Sequence, residues 1–259
     1  MFKNFIEQFV FFPQKQLDKT PSHIGIEYED IYLSLDDYKI HGWFIQNKVK
    51  KNNHKNIKDK VILFFHGNAG NISFRLNYIK KFYDIGFSLM FFDYPGFGLS
   101  QGIPNEQNCV YAGELFYTFL KDKKNFKHDH IIFYGESIGG ALVSNLANTL
   151  NAKHLILQST FTDIKQIIKN LSVSSYLGYF IENIGFETLN YLKHRYKLNL
   201  LKKKMKSMII HSDNDELINI SFAQELANYS DEFIVTEGTH SNINFNDDLI
   251  YKIIQFIEN

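Results

Sequence analysis

Residues 131–150, IIFYGESIGGALVSNLANTL, decide how this chain is read. Ile131 to Tyr134 is a short β-branched and aromatic run, the mark of a buried strand. Ala141 to Leu150 carries apolar residues at helical spacing. Gly135-Glu136-Ser137-Ile138-Gly139 therefore stands at a strand-to-helix turn. Glycines on both sides let the backbone approach itself closely, and a sharp turn lifts the serine oxygen clear of the sheet. A serine hydroxyl is a weak nucleophile until a base takes its proton, so the rest of the chain has to supply one. The first amides of the helix point at the reacting atom, where the dipole favours negative charge.

Working outward, strands alternate with helical patterns. Glu27–Leu35 and Lys39–Gln46 read as an opening antiparallel pair turning at Asp36-Asp37. Further strands are expected at Val61–Phe65, Ser88–Phe92, His154–Gln158, Met208–His211 and Phe233–Thr236, and helices at Phe74–Ile85, Gln107–Leu120 and Asp247–Ile257. With Ile131–Tyr134 this makes eight strands. Such alternation calls for a mostly parallel sheet with helices on both faces. At 259 residues one α/β domain, 1–259, accounts for the chain.

Composition excludes several function classes. Lysine plus arginine and aspartate plus glutamate both number 28, so no global field draws in nucleic acid. The single cysteine, Cys109, rules out an internal disulfide and fits a reducing compartment. The start, MFKNFIEQFVFFPQKQ, has neither the long apolar core nor the small-residue cleavage site of a secretory signal. It reads either as an element whose phenylalanines dock on the domain or as a short interfacial anchor. The location expected is cytoplasmic, with this segment as the point of any weak membrane-surface contact. Lys48 to Lys60 reads as a solvated hairpin loop.

Three further stretches bear on the serine. VILFFHGNAGN, 61–71, ends a strand in a glycine-containing turn, where amides near Asn68 could form half of an oxyanion hole and the amide of Ile138 the other half. His66 suits loop support better than catalysis. MIIHSDNDELI, 208–218, offers Asp215 as the acid that orients a base, with Asp213 as a turn former. FIVTEGTHSNI, 233–243, puts His240 on a loop after the last strand, where a general base belongs. Ser137, Asp215 and His240 follow one another in the chain order of an α/β-hydrolase triad. Asp163 in QSTFTD is a second candidate for the acid. No HExxH, paired CxxC or dinucleotide glycine fingerprint occurs, so no metal or organic cofactor is expected, and KHDH at 127–130 reads as a polar loop.

Taken in order, FFHGNAGN, FFDYPGFGLSQG, YGESIGG, QSTFTDI, IIHSDNDELI and GTHSN resemble the α/β-hydrolase fold. Within it the chain resembles small serine hydrolases that include the eukaryotic protein-depalmitoylating hydrolases and their bacterial relatives. The resemblance runs from about Phe12 onward. It implies Ser137 as nucleophile, Asp215 and His240 as its partners, and the amides of Asn68 and Ile138 as oxyanion donors. It also implies that DYPGFG, after the fourth strand, lines the site with Tyr94 and Phe97. Three positions depart from the family pattern: after Ile210 the turn reads His211-Ser212 where HG is usual, Ser207 stands where a proline commonly precedes the strand, and Thr239 where glycine is frequent.

Thr162 to Lys206 is too long for a simple connection. It reads as a cap of short helices whose aromatics serve either core packing or an apolar acyl pocket, with Tyr176 and Phe180 as substrate-binding candidates. The expected chemistry is hydrolysis of a small carboxylic ester or thioester through an acyl-enzyme. A small peptidase or amidase, or a non-catalytic scaffold on the same fold, stands as the alternative.

Overall fold

The structure is a computed structural model that describes residues 11–48, 57–165, 167, 188, 190–192 and 205–258. The expected cap, 162–206, lies for the most part outside the described residues, as do Tyr176 and Phe180.

Eight strands form one sheet: β1 Glu29–Leu35, β2 Tyr38–Ile45, β3 Val61–Phe65, β4 Ser88–Phe92, β5 Ile131–Glu136, β6 His154–Gln158, β7 Lys206–Ser212 and β8 Glu232–Thr236. Their order across the sheet is β8-β7-β6-β5-β3-β4-β2-β1. β2 runs antiparallel to both β1 and β4, and every other neighbouring pair is parallel. The helices described over their whole length include α1 Leu76–Ile85, α2 Glu106–Asp122, α3 Ile138–Leu150, α4 Ile220–Ala227 and α5 Asp247–Glu258.

The central strands are mostly apolar and buried along their whole length because both faces are covered. Along β3, Val61, Leu63 and Phe65 face the core shared with α2, α3 and α4, while Ile62 and Phe64 face the core shared with α1 and α5. Phe64 stacks on Phe91 at 4.4 Å and on Tyr134 at 5.1 Å between ring centroids. Burying a side chain of this size is worth roughly 1.5–3 kcal/mol. Parallel strands all end on one edge, and there the loops after β3, β5, β7 and β8 gather. This is the edge where α/β sheets bind ligands.

Phe11 to Pro13, the first of the described residues, dock at that edge. Phe11 is buried edge-on against Phe97, and Phe12–Pro13 pair in parallel with Ala69–Gly70. Of the two readings of this segment, docking describes Phe11; residues 1–10 lie outside the described residues. Among the described residues, no helix is long and apolar enough to cross a membrane.

Candidate active site

β5 ends at Glu136, α3 begins at Ile138, and Ser137 makes the whole turn between them with φ 54° and ψ −121°. A non-glycine residue in that region is strained, and the surroundings must hold it there. The Ser137 amide donates to Gln158 O at 2.9 Å, while its carbonyl accepts from Gly140 N at 2.9 Å and from Thr160 Oγ1 at 2.7 Å. The flanking glycines are required by space. A Cβ on Gly135 would sit 2.5 Å from Gly139 O, and one on Gly139 2.2 Å from Phe65 O.

Three side chains from three loops meet here. His240 Nε2 lies 3.1 Å from Ser137 Oγ, and His240 Nδ1 lies 2.8 Å from Asp215 Oδ2. The carboxylate can only accept, so Nδ1 carries the proton and Nε2 is left to accept from the serine hydroxyl. The other oxygen of Asp215 accepts from the amides of Leu217 at 3.0 Å and Ile218 at 2.8 Å. Burial works to raise the Asp215 pKa, but the bonds from His240 and the two amides outweigh it and hold the group below the usual carboxylate value. Asp163 takes no part; it accepts from the Lys165 amide at 2.8 Å.

Several supporting residues have partners that the motifs do not name. Ser212 Oγ donates to Gly238 O at 2.6 Å and accepts from Asn214 N at 3.1 Å, tying the acid loop to the base loop. Glu216 Oε2 accepts the His240 amide at 3.0 Å. His211 donates from Nε2 to Ile218 O at 2.8 Å, and burial pushes its pKa down. Ser212 was visible in the sequence as a departure from the family pattern, but nothing there named its partner.

Ile138 is the first residue of α3, so its amide has no acceptor within the helix. Asn68 borders the same cavity, and its side-chain Oδ1 accepts from Phe12 N at 3.1 Å. The cavity over Ser137 measures about 300 Å³. Much of its wall is apolar, formed by Phe12, Ile138, Phe161, Ile164, Ile167 and Ile218, while Asn68, Arg75, Glu136 and Ser241 line its polar side. A cleft of about 500 Å³ between α1 and the Gly238–Phe245 loop, and one of about 580 Å³ beside β1 and α2, contain none of Ser137, Asp215 and His240.

Tyr94 and Phe97 do not line this cavity, which corrects the expectation placed on the DYPGFG loop. Both are fully buried. Tyr94 stacks on His66 at 4.1 Å between ring centroids and donates its hydroxyl to His66 O at 2.8 Å, and Phe97 packs edge-on against the same imidazole. They support the loop that carries Asn68 from beneath. His66 itself is buried, with Nδ1 2.7 Å from Gly67 O and a pKa lowered by burial to about 3, so it stays neutral. Among the described residues, no three His, Cys, Asp or Glu side chains are grouped to hold a metal ion. In KHDH, His128 contacts Tyr117 and the Asn151 carbonyl instead.

With this geometry the chain can be set beside known proteins. A family model described as serine aminopeptidase, S33, matches residues 56–194, more than half of the chain. The chain belongs to this α/β-hydrolase family. It is 30% identical to the α/β hydrolase domain-containing protein WAV2 of Arabidopsis thaliana over 197 residues, covering 73% of this chain and 61% of that one. To the lysophosphatidylserine lipase ABHD12 of Rattus norvegicus it is 25% identical over 213 residues, covering 74% of this chain and 52% of that one. It thus spans about half to two thirds of these relatives' length. The Pyrococcus furiosus esterase Pf2001 superimposes with a TM-score of 0.72 at 19% identity, covering 95% of this chain and 98% of that one, which shows the shared fold.

Proposed function

We propose that this α/β-hydrolase is a serine hydrolase that cleaves carboxylic esters or thioesters through an acyl-enzyme on Ser137. The observation that carries this is the unbroken chain Asp215–His240–Ser137, with contacts of 2.8 and 3.1 Å and its reacting end open to an apolar cavity. His240 takes the Ser137 proton as Oγ attacks the carbonyl carbon. The amides of Asn68 and Ile138 receive the oxyanion, a role in which one donor is typically worth about 3 kcal/mol. His240 then gives the proton to the leaving oxygen or sulfur. Water, deprotonated by the same imidazole, releases the acid and restores the serine.

The apolar wall suits an acyl chain, and Phe12 and Leu217, both exposed at the cavity, suit an amphipathic substrate presented at a membrane surface. Such a substrate agrees with a cytoplasmic protein that meets membranes peripherally. The rat relative is named a lipase and the Pyrococcus neighbour an esterase, in line with ester chemistry. An S-acylated protein, the substrate of the depalmitoylating hydrolases that the motifs resemble, would use the same machinery. The family's description favours amide cleavage as the second reading.

Labelling with a fluorophosphonate, mapped by mass and controlled by Ser137→Ala, tests the nucleophile. Matched ester, thioester and amide substrates of one acyl chain then test the bond. Label on Ser137 with ester or thioester turnover above amide is expected. Folded protein that neither labels nor turns over any of the three overturns the reading in favour of a scaffold, and amide turnover above ester favours the second.

A further inference from the structure

Glu136 and Arg75 form a buried ion pair beside the nucleophile. Arg75 Nε donates to Glu136 Oε2 at 3.0 Å, with side-chain exposures of 9% and 4%. The same Oε2 accepts the Gly67 amide at 3.0 Å. Arg75 Nη1 donates to Ala69 O at 2.7 Å and reaches Asn71 O at 3.4 Å. Gly67 and Ala69 are the two neighbours of Asn68, so one side-chain pair grips the backbone on either side of it. Glu136 is in turn the residue before Ser137, whose other neighbour is Ile138.

From this geometry we infer that Glu136 and Arg75 are positioning residues that fix the Asn68 amide relative to the Ile138 amide, and so set the oxyanion site's width. The inference rests on the serine-hydrolase reading. The two amides belong to segments about seventy residues apart in sequence, on the ends of different strands. An oxyanion site depends on donors held at about 2.7–3.1 Å from where the charge develops. A flexible contact would lose that accuracy, whereas a carboxylate shared by an amide and a guanidinium admits one arrangement. Burying the pair costs desolvation of both ions, which argues that this location needs direction more than apolar packing. Charge balance matters too. A lone carboxylate one residue from Ser137 would oppose the developing oxyanion, and Arg75 cancels it.

The test uses the full chain with Glu136→Gln and Arg75→Lys. Three quantities are read: kcat per site titrated with fluorophosphonate, KM for an ester, and amide hydrogen exchange at Gly67 and Asn68. For Glu136→Gln we expect kcat per titrated site to fall about tenfold or more, with KM within about threefold. Exchange at Gly67 accelerates. Arg75→Lys keeps the charge but cannot hold Glu136 and Ala69 O together, and it falls between this variant and the wild type. A merely structural role lowers the melting temperature and the titrated fraction while leaving kcat per titrated site within about twofold of wild type, and that result overturns the inference. Unchanged exchange at Gly67 overturns it as well. If Glu136→Gln does not fold, Arg75→Lys decides on the same readouts. A wild type that neither labels nor turns over ester defeats the serine-hydrolase reading instead, and the tether then stands or falls on the exchange alone.

Discussion

His154, at the start of β6, makes the fold sensitive to acid. The ring is fully buried, packs edge-on to Phe256, and neither nitrogen has a hydrogen-bond partner among the described residues. Burial lowers its pKa to about 3, helped by the charges of Lys60, Lys153 and Lys206 around it. The ordinary value is about 6.5. A folded-state pKa below the unfolded one means that the unfolded chain takes the proton first. The stability tied to a neutral His154 is therefore complete above about pH 6.5 and is lost as the pH falls toward about 3. At pH 5 the unfolded state gains about 2 kcal/mol from protonating this one residue, since each pH unit below the unfolded pKa contributes about 1.4 kcal/mol. His154→Leu removes the titration and the two unpaired nitrogens while keeping an apolar side chain of similar bulk. Urea unfolding of both proteins at pH 7.5 and pH 5 isolates the effect, because the carboxylates and the other histidines titrate alike in each. The variant should equal or exceed the wild type at pH 7.5 and gain about 2 kcal/mol on it at pH 5, with an unchanged urea slope. A stability difference that is the same at the two pH values would show that His154 does not resist protonation in the fold.

Other substitutions separate the parts of the site. Asp215→Asn should lower kcat about 10⁴-fold without unfolding the chain, because His240 loses its orienting acceptor; Asp163→Ala, which removes a cap on the Lys165 amide, should leave steady-state ester turnover near wild type. Ser212→Ala deletes the link between the acid and base loops and should cost about 1 kcal/mol in urea unfolding, with a smaller loss of kcat than Asp215→Asn. Ile164→Phe narrows the apolar cavity and should lower kcat/KM for long acyl esters about tenfold relative to short ones, within the range a hydrophobic pocket discriminates.

The parts of this molecule that a reader of the sequence can find are those whose signal is local. β3 is a run of five apolar residues and β4 a serine followed by four, and they lie where those runs lie. The turn at Ser137 is legible because its glycines recur at fixed spacing in one short segment, although only Gly135 is demanded by a contact close by along the chain, Gly139 O. α4 escapes notice for the same physical reason. It has eight residues, and its buried positions are Phe222, Ala223 and Leu226, too few for a helical period to stand out.

What stays hidden is pairing across distance. DYPGFG announces a special loop, but whether Tyr94 faces a substrate or the underside of His66 depends on how β4 sits beside β3. Glu136 occupies a position that the GxSxG pattern leaves free, and its partner Arg75 is 61 residues away. A pattern limits residue types and spacing along one segment; it does not say which side chain will fill the space left by another. At this site Ser137, Asp215 and His240 belong to the first kind of information, and Glu136 and Arg75 to the second. Phe12 shows the boundary between the two. Its apolar character is plain in the sequence, yet only its pairing with Ala69 puts it on the cavity wall beside Asn68.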